Sequence, residues 1–539
     1  MRPWLALLCA FSLAACGGAN TRPPQSPAGG QAATAPAAAA TSSQTGAALT
    51  TPESVPPPPP ECASFVSLDA TASGSAQPEP CGSGREQALG ALADALELGK
   101  PPQRHEALAA LEVCPAFPPG AIRALRAELL PVECADVIVA PVLESPPAGL
   151  SPEVRDALLG LAYAGQLARL VRNPPVIEPP FSKARFAEFL RGPLGAWVLG
   201  QARAIDALAA KGAELSGYGK GITAVEAGLA DMRFVEVVRE VPLPEELARD
   251  NELRDVYYMA LDEALEPRKD RGRDAALVGL RIFASLGVLH DQRVERARAL
   301  LSKLYNGRRI DRLDELLLPP LPPPAAGSPE QRLAALLPAF HSGILLQRFS
   351  ATEPKLLRAL LERGIAPVFR SQLESTPLSS PARQLYARAL VHLGQRYWRS
   401  EDFARAAKLV ELDADGREPQ TGEARLLAAL AIALRTGPKD AAEMMLRGPF
   451  LPDSVGNLAK LDELAKSRQP VGAWAAYDAA LILEMVPPHE ADPRFWNGLA
   501  GRFQGAAARL LDPAQRRSAQ AHAQAAAETA QALQEQAAE

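Results

Sequence analysis

The chain offers few residues whose types and spacing could support catalysis. None of its six histidines has another histidine at the spacing of a catalytic motif, and no HExxH pair is present that would hold zinc. No GxSxG turn is present that would expose a nucleophilic serine. We therefore predict no catalytic residue and no metal site, and we expect a protein that is not an enzyme and needs no cofactor.

The stretch ELDADG at residues 411–416 matches part of a calcium-binding loop. In that loop pattern, position 12 carries a glutamate that binds the ion with both oxygens. Here Gly422 stands at position 12 and Glu423 comes one residue late. We therefore favour a solvated turn after a helix, and weak calcium binding by residues 411–423 is the alternative. The residues that match positions 1, 3, 5 and 6 are Glu411, Asp413, Asp415 and Gly416.

The glycine-rich stretch GYGKGITA at residues 217–224 loosely fits a phosphate-binding pattern. Such a loop needs a strand before it and a helix after it. The preceding residues 202–215 have a helical pattern instead, and Lys220 is not followed by serine or threonine. We predict a flexible corner between two long helices.

The first sixteen residues have the parts of an export signal. Arg2 gives a positive start, and residues 4–15 are an apolar run shorter than the roughly 20 residues that span a membrane. The run ends in Leu13-Ala14-Ala15-Cys16, which resembles a bacterial lipobox. The resemblance implies cleavage of residues 1–15 and a lipid on Cys16, with Gly17 favouring the outer membrane. The alternative is an ordinary signal peptide with an incidental cysteine.

A tether is predicted to follow the lipid. In residues 17–60, 36 of the 44 residues are Pro, Ala, Gly, Ser or Thr. Such a segment buries too little apolar surface to offset its chain entropy, so we predict disorder over residues 16–61. It ends in Pro56 to Pro60, which we interpret as a stiff spacer, the alternative being a ligand for a proline-recognising domain.

Four cysteines remain after the signal and the lipidated residue. An even number in an oxidising compartment predicts two disulfides, and the absence of CxxC spacing argues against zinc. Sequential pairing closes the shortest loops, and we favour it. Pairing of the second with the third cysteine is the alternative if helices predicted at 84–98 and 104–113 pack antiparallel. The four residues are Cys62, Cys81, Cys114 and Cys134.

Composition predicts a helical protein that does not bind nucleic acid. The formal net charge is only −5, and no long basic run interrupts the mixed charges. Leu, Ala and Arg dominate, which favours helices over sheets. The stretch at residues 135–143 is the one plausible strand.

Helix starts are marked by serine or aspartate followed by proline. The first residue caps free backbone N–H groups, and proline suits the first helical position because it has no N–H. The pairs are Ser151-Pro152, Ser328-Pro329, Ser380-Pro381, Asp492-Pro493 and Asp512-Pro513.

Prolines also predict the domain boundaries. Residues 319–328 contain a proline run that no helix interior accepts, so we place a joint there. It separates an N-terminal helical domain at 62–318 from a second helical domain at 329–511. Residues 512–539 are predicted to be a polar helix or a frayed tail.

One stretch of the second domain resembles a tetratricopeptide repeat. In residues 386–410 a glycine lets a second helix approach closely, and a small alanine lies at the crossing. We expect Arg396 and Arg405 on the same hairpin to face solvent. The residues at the spacing of the repeat are Leu393, Gly394, Tyr397, Phe403 and Ala406.

These features together predict an all-α stack of helical hairpins, an α-solenoid, held at the outer membrane by a lipid. Such stacks bind partners without catalytic residues, so we expect a scaffold for other envelope proteins. The alternative is a lipoprotein that binds a small molecule or glycan between helices. A broad groove with a mixed polar lining would favour the scaffold, and a deep pocket with exposed aromatic residues would favour the alternative.

Overall fold

A computed structural model of the chain describes residues 49, 51–65, 81, 84–304, 311–323, 327–410, 419, 421–435, 458–488 and 490–538. The described chain is helical, and within these ranges the β pairing is a single isolated bridge between Val288 and Gly364. The predicted all-α class is therefore confirmed. The lipobox and the stretch 411–416 lie outside the described residues.

A short helical turn occupies residues 61–65, and 22 α-helices are described after it. The first eleven are α1 (Arg85–Glu97), α2 (Pro101–Leu111), α3 (Ala121–Leu129), α4 (Ala135–Glu144), α5 (Pro152–Arg169), α6 (Lys183–Arg191), α7 (Pro193–Glu214), α8 (Gly217–Arg239), α9 (Glu245–Arg249), α10 (Asn251–Ser285) and α11 (Gln292–Leu304). Short 3₁₀ turns lie at Val132–Cys134 and Arg312–Glu315.

The other eleven helices follow the predicted joint. They are α12 (Pro329–Leu336), α13 (Ala339–Leu345), α14 (Pro354–Leu360), α15 (Pro367–Ser375), α16 (Ser380–Tyr397), α17 (Ser400–Val410), α18 (Gly422–Leu434), α19 (Ala459–Ala465), α20 (Pro470–Met485), α21 (Pro493–Ala507) and α22 (Pro513–Ala538).

Four of the five predicted Ser/Asp-Pro starts begin a helix at the proline. The Ser151 and Asp492 side chains accept hydrogen bonds from the backbone N–H groups of Val154 and Phe495, at 3.3 and 2.8 Å. The fifth start lies one residue earlier, because Ser379 caps α16.

The predicted strand at residues 135–143 is wrong, because this stretch forms α4. Its buried residues Ala135, Ile138, Val139 and Leu143 recur at helical spacing. They pack between α3 and α5, and this tertiary contact outweighs the strand preference of the β-branched residues. Pro141 lies near the helix end.

The two long helices predicted on either side of a corner are present as α7 and α8, but the corner lies at residues 215–216, so a flexible corner over residues 217–224 is wrong. The glycines belong to the first turns of α8, which is buried among α5, α7 and α10. A β-carbon on Gly219 would lie 1.9 Å from the carbonyl oxygen of Asp156, and one on Gly160 would lie 2.4 Å from Gly219. The glycines therefore allow two helix backbones to touch.

One hydrophobic core runs through both sides of the predicted joint. It contains Leu89 and Leu92 of α1 together with Leu333 of α12. Arg332 of α12 also pairs with Asp94 on α1 at 2.7 Å. Residues 319–323 therefore join two parts that pack directly on each other.

The C-terminal segment is a long helix over its described residues. α22 packs along α21 and buries only alanines: Ala519, Ala523, Ala526 and Ala530. Among the described helices, none has both the length and the apolar character needed to cross a membrane.

Candidate functional site

The structure brings the five repeat-like residues together where α16 meets α17. Leu393, Phe403 and Ala406 are fully buried, and a β-carbon on Gly394 would lie 2.7 Å from the Phe403 ring. The Tyr397 hydroxyl donates a hydrogen bond to the carbonyl oxygen of Val288 at 2.7 Å. These residues are thus in close contact within the hairpin, and Tyr397 connects the hairpin to the segment just after α10.

The solvent-facing position predicted for Arg396 is wrong. Only 6% of this residue is exposed, and its guanidinium pairs with Glu295 and, at 3.5 Å, with Asp314. The arginine faces α11 and the turn after it, which the sequence of the hairpin alone does not specify. Arg405 is half-exposed, as expected.

The two predicted disulfides are present, but the favoured sequential pairing is wrong. Cys81 pairs with Cys114 and Cys62 pairs with Cys134, with Cα atoms 5.5 and 5.2 Å apart. The first pair forms because Cys81 precedes α1 and Cys114 follows α2, which packs against α1. The second ties the N-terminal segment to the start of α4.

The last part of the predicted tether is ordered, so its predicted end at residue 61 is too late. We call residues 51–62 the N-terminal strap. Gln201 donates a hydrogen bond to the Ser54 carbonyl at 3.1 Å, and Arg169 donates one to the Pro56 carbonyl at 2.9 Å. Val55 is buried beside α7 residues in a second hydrophobic cluster. These contacts fix the strap to the helices.

Arg169 also binds residues of the helical body that lie beneath the strap. Its guanidinium donates two hydrogen bonds to the Asp136 carboxylate at 2.7 and 2.6 Å, and a third to the carbonyl of Glu133 at 2.6 Å. Both side chains of the pair are almost fully buried. One arginine thus joins α5, the start of α4 and the strap.

A groove of about 380 Å³ lies between the proline-rich segment and three helices, and we take it as the candidate functional site. The segment at residues 319–323 forms one wall. The first turns of α14, α16 and α18 form the other walls, because each of these helices begins beside the groove. The side chains supplied by the helices are Pro354, Lys355, Arg358, Pro381, Gln384, Leu385, Arg388, Glu423 and Leu427.

Two arginines hold the wall of this groove. Arg388 of α16 donates a hydrogen bond to the carbonyl of Pro319, and Arg358 of α14 donates one to the carbonyl of Pro322. Arg358 also donates to Glu362 at 2.6 Å. Because proline has no N–H, the segment cannot pair as a strand, and its carbonyls accept from side chains instead.

Charge in the groove is mainly positive. Burial, together with the nearby charge of Arg358, lowers the pKa of Arg388 to about 10, against an opposing effect of Glu423. Arg388 remains protonated near neutral pH. Lys355 is exposed at the start of α14, and Glu423 is the one carboxylate among the described lining residues.

Histidines that are distant in sequence meet elsewhere in the structure. The rings of His290 and His392 lie 5.1 Å apart, and burial and the charge of His290 lower the pKa of His392 to about 3. A metal ion would need further ligands, and no group of three or more His, Cys, Asp or Glu residues suited to a metal is found in the described ranges.

Sequence reasoning missed the groove residues. The proline run indicated a joint, but Lys355, Arg358 and Arg388 stand on two helices and are not marked by any motif. Comparison of the chain with protein-family models, curated proteins and solved structures found no match.

Proposed function

We propose that this protein is a lipid-anchored envelope scaffold that binds other proteins through its helical surface. The observation that carries the proposal is the groove beside residues 319–323. Its lining mixes prolines and leucines with lysine, arginine, glutamine and glutamate. This mixture supports a protein partner over a glycan or small molecule, for which we expected exposed aromatic residues.

The hairpin architecture supports the same proposal. When successive helices pack against each other, the N-terminal ends of several of them lie on one surface. Such surfaces bind partners by shape and charge without catalysis. The contact between Gly394 and Phe403 keeps α16 and α17 close, and α16 supplies Gln384 and Arg388 to the groove. The tetratricopeptide resemblance is consistent with this role.

Anchoring completes the proposed function. We propose that Cys16 carries lipid and that the protein lies at the outer membrane. Residues 17–50 separate Cys16 from the strap, and 34 residues span at most about 120 Å. The strap fixes where this connection joins the folded part. The body can therefore reach partners at a distance from the membrane.

Photo-crosslinking in living cells tests the proposal. A photoreactive amino acid at Gln384 in the groove should trap one or a few envelope proteins of defined mass. The matched control is exposed Gln520 on α22, which should trap far less. Cys16→Ala should release the protein from membranes and reduce the adduct. Scanning positions over the whole surface without finding any protein adduct would contradict a binding role.

A further inference from the structure

We infer that the groove binds an extended, acidic peptide segment of a partner protein. This inference rests on the proposed scaffold function and names the chemistry of the partner. Three cationic side chains line the groove against one carboxylate: Lys355, Arg358 and Arg388 against Glu423. A carboxylate-bearing segment would complement this charge, and it would be held more strongly at low salt.

Two of the cations retain capacity to bind. A guanidinium carries five N–H donors, and within the described chain Arg388 donates a hydrogen bond to one carbonyl, that of Pro319. Lys355 lies exposed on the groove rim. Arg358, by contrast, is largely committed to Pro322 and Glu362. Arg388 and Lys355 are therefore the residues we assign to the partner.

The segment at residues 319–323 shows what kind of chain this surface holds. Arginines from two helices bind the carbonyls of Pro319 and Pro322, which are three residues apart. A polyproline helix repeats every three residues, so both carbonyls fall on one side of an extended chain. Leu385 and Leu427 supply apolar contacts in the same groove. A partner segment that is extended and acidic would meet matching groups.

The protein's own N-terminal segment is a poor occupant by the same reasoning. Residues 17–48 contain Arg22 and no aspartate or glutamate. The stretch at 411–418 does carry carboxylates, so the experiment includes it as a competitor. Its acidic residues are Glu411, Asp413, Asp415 and Glu418.

Fluorescence anisotropy on the full chain in nonionic detergent tests the inference. The probe is a labelled nine-residue peptide of alternating proline and glutamate, compared with the same peptide carrying glutamine for glutamate. We expect the acidic peptide to bind at least about tenfold more tightly, because charged hydrogen bonds contribute more than neutral ones. Raising sodium chloride from 50 to 500 mM should weaken its binding.

Variants assign the effect to the groove. Arg388→Gln should weaken binding about tenfold or more, and Lys355→Gln about threefold. Lys460→Gln is the matched control, because Lys460 is also the exposed second residue of a seven-residue helix, α19, but does not line the groove. It should leave affinity within about twofold. Circular dichroism checks that the Arg388→Gln variant folds. If that variant does not fold, the Lys355→Gln variant, altered at an exposed residue, still tests the groove.

Three outcomes would overturn the inference: equal binding of the neutral peptide, equal effects of Lys355→Gln and Lys460→Gln, or tighter binding after the four acidic residues of 411–418 are changed to amides. The last would assign the groove to the chain's own residues 411–418. If the peptide fails while Gln384 still traps an envelope protein in cells, the scaffold function stands and only the acidic class of partner is wrong.

Discussion

At Gly394, a single added methyl group would collide with the Phe403 ring, and Ala406 lies fully buried on the same face of α17. We predict that Gly394→Val and Ala406→Leu each destabilise the protein by about 1–3 kcal/mol, because both overpack one helix crossing. Their effects should not add in the double variant, since the residues share that contact. Urea unfolding of the two single variants and the double variant measures this.

Two arginines of the same hairpin provide a matched pair, one exposed and one buried. Arg405→Ala should change stability by less than about 0.5 kcal/mol, because its side chain is half-exposed. Arg396→Ala should cost about 1–2 kcal/mol, because it removes a buried guanidinium that pairs with Glu295 and Asp314, which then keep Arg298 as their remaining partner within the described chain. If Arg396 proves as tolerant as Arg405, the orientation of α16 described above is wrong.

The residues of this hairpin also show how far local sequence reasoning extends. Spacing predicted which residues of α16 and α17 touch, because both helices belong to one short stretch of chain. It failed for Arg396, whose partners lie about 80 to 100 residues earlier in the chain. The groove was not predicted for the same reason, since Arg388 contacts Pro319, which lies 69 positions earlier in the chain. No local pattern records such contacts.

At the scale of elements, one buried ion pair contributes to holding the strap. Asp136→Asn should cost about 3 kcal/mol, because it leaves the buried Arg169 guanidinium without a counter-charge. It should also loosen the strap, since Arg169 holds the Pro56 carbonyl. The measurements are the urea midpoint and the rate at which Glu-C protease cleaves after exposed Glu53.

Arg172→Ala is the control for this element. Arg172 is the next arginine along the chain and pairs with Glu133, but its side chain is about half-exposed. We expect it to cost less than about 1 kcal/mol and to leave cleavage after Glu53 unchanged. Equal cleavage in the Asp136 and Arg172 variants would show that Arg169 does not hold the strap.

The C-terminal helix has a pH-dependent attachment. His522 of α22 lies between Glu315 and Glu484, with a ring nitrogen 2.9 Å from each carboxylate. Burial lowers the pKa of His522, but hydrogen bonds to the two carboxylates outweigh it and raise the pKa from 6.5 to about 9. Since the folded pKa is the higher one, protonation stabilises the fold. The contribution is full below about pH 6.5 and is lost as pH rises through 9.

His522→Gln should therefore destabilise the protein by about 3 kcal/mol at pH 6 and have little effect at pH 10. Thermal unfolding of the variant and the parent at both pH values measures the difference. Glu528→Gln, an exposed change on the same helix, controls for altered charge on α22. A variant effect that does not change with pH would contradict attachment through a protonated His522.

Elements were predicted well where the signal is local. The Ser/Asp-Pro pairs marked helix starts, because capping and the missing proline N–H act within one turn. The predictions for residues 135–143 and 217–224 were wrong because contacts with neighbouring helices determine the conformation of these residues. Gly219 touches Gly160 in the structure, and a sequence alone cannot distinguish that contact from a flexible turn.

At the scale of the whole molecule, the two disulfides tie together separate segments of the N-terminal half. We predict that mass mapping of unreduced peptides will find Cys62–Cys134 and Cys81–Cys114, and no sequential pair. The bridges join residues 72 and 33 positions apart. By loop-closure entropy they contribute about 4.4 and 3.7 kcal/mol to stability, respectively.

The two bridges should differ in a second property. Replacing both Cys62 and Cys134 by serine frees the strap at its C-terminal end, whereas replacing Cys81 and Cys114 affects only the α1–α2 pair. Glu-C cleavage after Glu53 should therefore rise in the first double variant and stay at the parent rate in the second. Urea unfolding should show both variants destabilised. If cleavage after Glu53 rises equally in the two double variants, general loss of stability, and not loss of the Cys62–Cys134 bridge, explains the exposure of the strap to protease. The bridge would then not determine where the connection from Cys16 joins the folded body.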